Sequence, residues 1–329
     1  MTESKYPIDP LEFDDVSTYP IADRKSKVHT GLFGKPSEAS DTVGDFLDKL
    51  PGILGASDLR DLVDALTLAR TEGRPLLWGM GGHVIKCGLG PILIDLMRDR
   101  FVTGVLMNGS SMIHDFEIAL HGSTSEEVES EIKTGRFGMA RETGEYLNQA
   151  INDGAGLGLG MGESVGRFLD RSDHGIDFKH LDSSVLYEAY RQAIPTTVHV
   201  AIGTDITHIH PSASGKNIGQ TSMHDLKLLT AMMCELEGGV YVNVGSAVIL
   251  PEVFLKALSV ARNLGHTIDK ITTANLDFIQ HYRPRENVLK RPTQRGGRAI
   301  ALTGHHEIMV PLIAAALKQK AEGTKPEPA

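Results

Sequence analysis

Cysteine is scarce: the 329 residues hold two, Cys87 and Cys234, far apart and in no C-x-x-C pair. That excludes a disulfide framework and fits a reducing, cytoplasmic setting. No run of about 18 or more apolar residues occurs, so nothing reads as a membrane span. The opening MTESKYPIDPLEFDD is acidic and lacks an apolar stretch, so it does not read as a secretory signal. Positive charge is in deficit: 33 Lys and Arg against 42 Asp and Glu leave a net charge of −9. With no basic cluster either, nucleic acid and anionic membrane are not expected as partners. Aromatic residues are few. At 41% hydrophobic, however, the chain can bury a sizeable core, enough for one large α/β domain or two small ones.

Histidine is plentiful, at 14 residues, and so is glycine, at 35. Residues 1–40 carry prolines and acids with little periodicity and read as an extended arm. Residues 41–320 read as a single α/β domain, and 321–329 as a disordered tail. Within the domain, short apolar runs alternate with segments of helical spacing. The expected strands are 74–80, 102–108, 196–203, 238–245, 270–276 and 297–304. Helices are expected over 92–100, 142–153, 184–193, 223–237, 251–265 and 307–321, and over 125–135 with Ser125 as its cap. Strands alternating with helices of about 10–15 residues predict a mostly parallel sheet with helices on both faces. The glycine-dense GAGLGLGMGESVG (154–166) reads as a flexible loop, because it follows a helix and not a strand. Glu126 to Glu131 reads as a solvated helix face, and Cys87 as a small buried residue.

Ligands in such sheets bind outside the carboxyl ends of the strands. The chemistry-bearing residues fall there repeatedly. The first strand runs into Gly81, Gly82 and His83, and the second into Gly109, Ser110, His114, Asp115 and Glu117. The third runs into GTDITHIHPSASG, with Asp205, His208 and His210, and the last into His305 and His306. His208 and His210, one residue apart, could chelate a metal with Asp205. One of them could instead act as an acid/base group oriented by Asp205, or both could be buried loop histidines.

The order of elements resembles deoxyhypusine synthase over residues 70–320. SSVLYEAYRQAIPTTV resembles that family's entry to the substrate strand, and GTDI its Thr-Asp-Gly turn. YRPRENVL resembles its Arg-Pro-x-Glu-Ala-Val stretch, and IMVPLIAAAL its last helix. The resemblance implies a Rossmann-like, doubly wound α/β fold, NAD as cofactor, and a homotetramer whose arm reaches a neighbouring subunit. It places the cofactor turns at Gly79, Gly81, Gly82 and His83; Asn108, Gly109 and Ser110; Gly245 and Ser246; Thr273 and Ala274; and His305. It places Asp205, Asp115 and Glu286 among the substrate and catalytic groups; His114, His208 and His210 are gained relative to the family and are candidate catalytic groups by their place at the strand ends. The family's Ser-Trp-Gly-Lys motif is missing. The stretch reads VLKRPTQ, with Lys290 about two positions early, so hypusine formation itself is not expected. Three readings follow: an NAD-dependent enzyme acting on a small amine or polyol; a metal-dependent hydrolase or lyase using the rim histidines; and a non-catalytic ligand-binding protein.

Overall fold

Six short runs rich in Val, Leu, Met and Thr form strands that are buried on both faces except at one edge. In this computed structural model, which describes residues 4–171 and 173–322, they are β1 (Leu76–Met80), β2 (Gly104–Asn108), β3 (Thr196–His199), β4 (Val240–Val244), β5 (Thr272–Asp277) and β6 (Arg298–Thr303). They make one sheet in the order β3-β2-β1-β4-β5-β6, and every pairing is parallel. All six expected strands are present. β3 is shorter than expected: Ala201 to Thr204 turns away from the sheet and leads into a 3-10 turn over Ile206–Ile209.

Alternate strand residues feed the two faces. On one face Trp78, Met80, Val105, Met107 and Val242 pack under α2 (Leu54–Thr71), α4 (Gly90–Arg98), α5 (Gly109–His121), α9 (Val185–Arg191) and α13 (His306–Glu322). The Trp78 indole N–H donates to the Phe101 carbonyl at 3.0 Å, which satisfies its one polar atom. On the other face Leu77, Leu106 and Tyr241 meet α10 (Gly215–Cys234) and α11 (Ile249–Asn263), with Tyr241 stacked on Phe254 at 4.0 Å. Gly79 sits on this face, where a Cβ would stand 2.5 Å from the Tyr241 hydroxyl. Its missing side chain makes room for that ring, which corrects its assignment to a cofactor turn. Thr273 and Ala274 are likewise interior β5 residues, fully buried below the rim.

The remaining elements are α1 (Val43–Lys49), α3 (Gly82–Lys86), α6 (Val128–Thr134), α7 (Arg141–Leu157), α8 (Met161–Asp170) and α12 (Tyr282–Pro284), which continues as a π-helical turn over Arg285–Lys290. Residues 154–166 are not a loop. α7 runs through Leu157 and α8 begins at Met161, leaving three residues between them. The glycines serve packing: a Cβ at Gly162 would lie 2.2 Å from the Thr196 carbonyl, so α8 presses directly on β3. Ser125 does not cap α6. Its φ is +74°, and Glu127 precedes the helix instead. Residues 4–40 are exposed apart from half-buried Leu32, with two 3-10 turns at Ile21–Asp23 and Thr30–Leu32 and with large exposed side chains such as Tyr6 and Phe13. α13 extends to Glu322, and 323–329 lie outside the described residues. Among the described residues, no helix is long and apolar enough to cross a membrane.

Asp225 on α10 joins α8 to the edge strand. It is fully buried, and its Oδ2 accepts from Gly162 N (3.0 Å) and Val198 N (2.7 Å). Burial pushes its pKa up to about 7, against the pull of those backbone donors. The folded chain therefore holds this proton more tightly than the unfolded one. The associated stability is complete below the ordinary carboxylate range and is lost as pH rises through about 7. Urea unfolding of the native chain and of Asp225→Asn between pH 5 and pH 8 should show the native chain losing on the order of 2 kcal/mol relative to the variant. Gly162→Ala should cost about 1–3 kcal/mol in the same assay, because the Thr196 carbonyl opposite is strand backbone.

Candidate active site

The strand order reverses between β1 and β4, so the crevice of this sheet opens at their carboxyl ends. There the two exits touch. Gly81 N donates to the Val244 carbonyl at 2.9 Å, and a Cβ at Gly81 would lie 2.3 Å from the Gly245 carbonyl oxygen. Gly245 has φ +65°, which turns the chain off β4 toward α11. Val248 does not cap α11 with its side chain; Ser246 Oγ instead accepts from Leu250 N, the second residue of the helix, and Pro251 follows with no N–H. The N-terminus of α5 is differently placed. The Asp205 carboxylate lies over Gly109, where a Cβ would be 2.2 Å from Oδ2. Asn108 caps the same helix through its side-chain oxygen, accepting from Ser111 N at 2.9 Å.

Beside that contact, at the ends of β2 and β3, is a cavity of about 200 Å³. Lys86, Ser110, His114, Glu117, Glu126, Thr204 and Asp205 line it. Three carboxylates and one ammonium give it a net negative lining. Asp205 is held from behind: His208 Nε2 lies 3.9 Å from its Oδ2, and the Thr204 hydroxyl is 3.3 Å away. Burial pushes the Asp205 carboxyl above its usual range, opposed by the charge of His208 and the Thr204 hydrogen bond.

His114, Thr124 and Glu117 form a chain. The Thr124 hydroxyl donates to Glu117 Oε2 at 2.5 Å, so its one hydrogen is committed. His114 Nδ1, 2.6 Å from the Thr124 hydroxyl oxygen, must then be the donor to it. That assignment leaves the lone pair of neutral His114 on Nε2. Glu117 also accepts from Thr143 at 3.0 Å. Burial pushes the Glu117 carboxyl up, but the nearby His114, 3.6 Å away, and the hydrogen bonds from Thr124 and Thr143 together outweigh it and hold the group below its usual range.

The rim residues expected from sequence divide into three sets. Asp205, His208, His114, Gly109 and Ser110 meet at this cavity or directly behind it. His83, His305 and His306 form a second group around Phe278, with His83 and His306 ring centroids 5.6 Å apart. The others stand elsewhere. His210 turns away from His208: its Nδ1 pairs with Ser212 Oγ at 2.7 Å, and its ring packs against Gly144 of α7. Among the described residues, neither His208 nor His210 belongs to a group of three side chains spaced to hold a metal ion, so the expected His208–His210 site gains no support. Asp115 is fully buried and caps α9, accepting from Ser184 Oγ (2.6 Å), Val185 N and Leu186 N; burial pushes it up to about 6. It holds structure and does not face the rim. Glu286 lies on the π-helical turn, 3.7 Å from Lys290 Nζ and 4.0 Å from Arg291, and does not line the cavity. Lys290 is correspondingly paired and apart.

Lys86 and Thr124 carried no motif that would mark them. Lys86 is visible only as a basic residue one helical turn after the first rim glycines, and Thr124 needs the fold to meet His114. Cys87 is half-buried rather than buried, with Sγ 3.6 Å from Glu307 Oε2.

Comparison with known proteins speaks to the fold. No protein-family profile matches the chain, and no curated protein matches it by sequence. Among solved structures, a conserved candidate LOR/SDH protein from Methanococcus maripaludis S2 superposes with a TM-score of 0.52 at 16% identity, over 82% of this chain and 71% of that one. A candidate deoxyhypusine synthase from Entamoeba histolytica gives 0.52 at 12% identity, over 88% of this chain and 97% of that one. The fold is that of deoxyhypusine synthase-like and LOR/SDH-like proteins. A complex of AgrE with ornithine and NAD+ gives 0.48 at 16% identity, over 80% of this chain and 33% of that one.

The tautomer of His114 is directly measurable. Ring ¹⁵N chemical shifts of the native chain near pH 8 should report Nδ1–H. Thr124→Val should move the His114 signal toward the tautomer mixture of a free imidazole, with the fold intact by circular dichroism.

Proposed function

We propose that this chain is a deoxyhypusine synthase-like, NAD-dependent enzyme that oxidises a small amine or polyol and does not form hypusine. The cavity at the ends of β2 and β3 carries the reading. Asp205 and Glu117 lie against it, and its volume suits a short aliphatic chain and not a dinucleotide. A cationic amine is favoured, since Asp205 at the cavity wall offers a carboxylate and the lining has a surplus of negative charge.

NAD has one fitting place among the rim turns. The α5 N-terminus already faces the Asp205 carboxylate, and α3 is a five-residue turn. The Gly245–Val248 turn before α11 brings a left-handed glycine and the Ser246 hydroxyl, which accepts from Leu250 N, to the point where the strand order reverses, where a diphosphate would approach the backbone closely. Bound there, NAD would supply the hydride acceptor. Ser246, His83 and His305 are the neighbouring groups that would line its path along the rim.

The residues of the chain do the rest. Asp205 binds and orients the ammonium or hydroxyl of the substrate. His208 balances the Asp205 charge from behind. His114 Nε2 takes the proton that the amine or hydroxyl sheds as its carbon is oxidised. Glu117, through Thr124, fixes the imidazole and stabilises it once charged. The exposed apolar side chains of residues 4–40 favour a homo-oligomer, a tetramer by resemblance, and the two unbridged cysteines fit a cytoplasmic protein.

NADH absorbance after mixing the protein with NAD+ and a panel of aliphatic diamines, amino alcohols and polyols tests this. At least one amine should turn over, and His114→Ala should lower kcat by about 10²–10⁴ with little change in KM. No NADH from any substrate, together with no NAD+ or NADH binding at millimolar concentration, would remove the nicotinamide reading.

A further inference from the structure

Outside the cavity just described, His83, Cys87 and Glu307 converge at the exit of β1. His83 and Cys87 are four residues apart on and just after α3, so both project from one side of that turn. Glu307 comes from the first turn of α13, more than two hundred residues later in the chain. The Cys87 Sγ and Glu307 Oε2 are 3.6 Å apart, and one donor atom from each of the three residues lies within 4.8 Å of the others. None of the three lines the Asp205 cavity.

We propose that His83, Cys87 and Glu307 form a binding site for one zinc ion. An imidazole nitrogen, a thiolate and a carboxylate oxygen are zinc's own donor set, and the sulfur disfavours magnesium and calcium. Metal–ligand bonds of about 2.0–2.3 Å place tetrahedral donors about 3.3–3.7 Å from one another. The Cys87–Glu307 pair already has that spacing. His83 and Glu307 are exposed, so closing the remaining gap needs only side-chain rotation and no movement of the core. The His83 ring is steadied edge-on by Phe278 and by buried His306, at 6.1 and 5.6 Å between centroids. Three protein ligands leave the fourth position for water or for His305, whose Nδ1 is 3.7 Å from Glu307. An ion there would tie α3 to α13 across the mouth of the crevice. His83 and His305 also flank the proposed cofactor path, but the metal site rests on its own donor set and its test needs no NAD.

Cobalt reports the site spectroscopically. Chelator-stripped, desalted protein titrated with Co²⁺ should bind one equivalent per chain. It should show a thiolate-to-cobalt charge-transfer band with tetrahedral d–d bands, both abolished by one equivalent of Zn²⁺. Cys87→Ser should lose the charge-transfer band. His83→Ala and Glu307→Gln should each weaken binding at least about tenfold. His266→Ala, an exposed histidine at the opposite end of the sheet, should bind as the native chain does. Circular dichroism identifies any variant that fails to fold, and the remaining two then decide. The proposal is overturned if folded native protein binds no stoichiometric Co²⁺. It is also overturned if the charge-transfer band survives in Cys87→Ser, or if all three folded variants bind as tightly as the native chain.

Discussion

The contact between the Asp205 carboxylate and Gly109 organises the rim. Gly109 is the first residue of α5, where the helix offers partial positive charge. Only a residue without Cβ lets the carboxylate lie there. The contact brings the loop after β3 onto the helix after β2. It makes a wall of what would otherwise be two separate strand exits. The cavity exists because that wall faces Lys86 on one side and His114 and Glu117 on the other.

The same contact divides the labour of the rim. By covering the α5 N-terminus, Asp205 removes the obvious anion-binding end beside β2. The turn after β4, with its left-handed Gly245, lies across the point where the strand order reverses. On the proposed reading, a small cationic substrate and an anionic cofactor would have different places along the rim. Between them stands His114, held from one side by a hydroxyl whose proton is already given to Glu117. Buried acids elsewhere, Asp115 and Asp225, have raised pKa values for another reason. Asp115 anchors the start of α9 with three donors, and Asp225 ties the start of α8 to β3 with one donor from each; their titration bears on stability.

Much of the fold was legible in the sequence. The six apolar runs, each ending in small or ionisable residues, specify a parallel sheet with its chemistry at one end. What local pattern could not carry was close packing. Gly154 to Gly166 reads as a loop unless one knows that Ser164 and the Thr196 carbonyl lie where side chains would be. Gly79 resembles a cofactor glycine, yet it answers to the Tyr241 ring. The site was legible in part for the same reason. Asp205 and His114 were marked by position after a strand, whereas the H-x-H spacing of His208 and His210 suggested a chelate, and among the described residues neither joins a group of three side chains spaced to hold a metal ion. Thr124 and Lys86 become visible only when tertiary structure sets them beside His114 and Asp205.

The central claim is that Asp205 makes this cavity a site for a small cation. Isothermal titration calorimetry of a four-carbon diamine against the native chain and Asp205→Asn, with the diol of equal length as the neutral comparison, tests it most directly. The account predicts diamine binding that falls at least about tenfold in the variant, the loss of one charge-assisted contact. It also predicts much weaker binding of the diol to either chain. Equal affinity of the two chains for the diamine, or a preference for the diol, would contradict it.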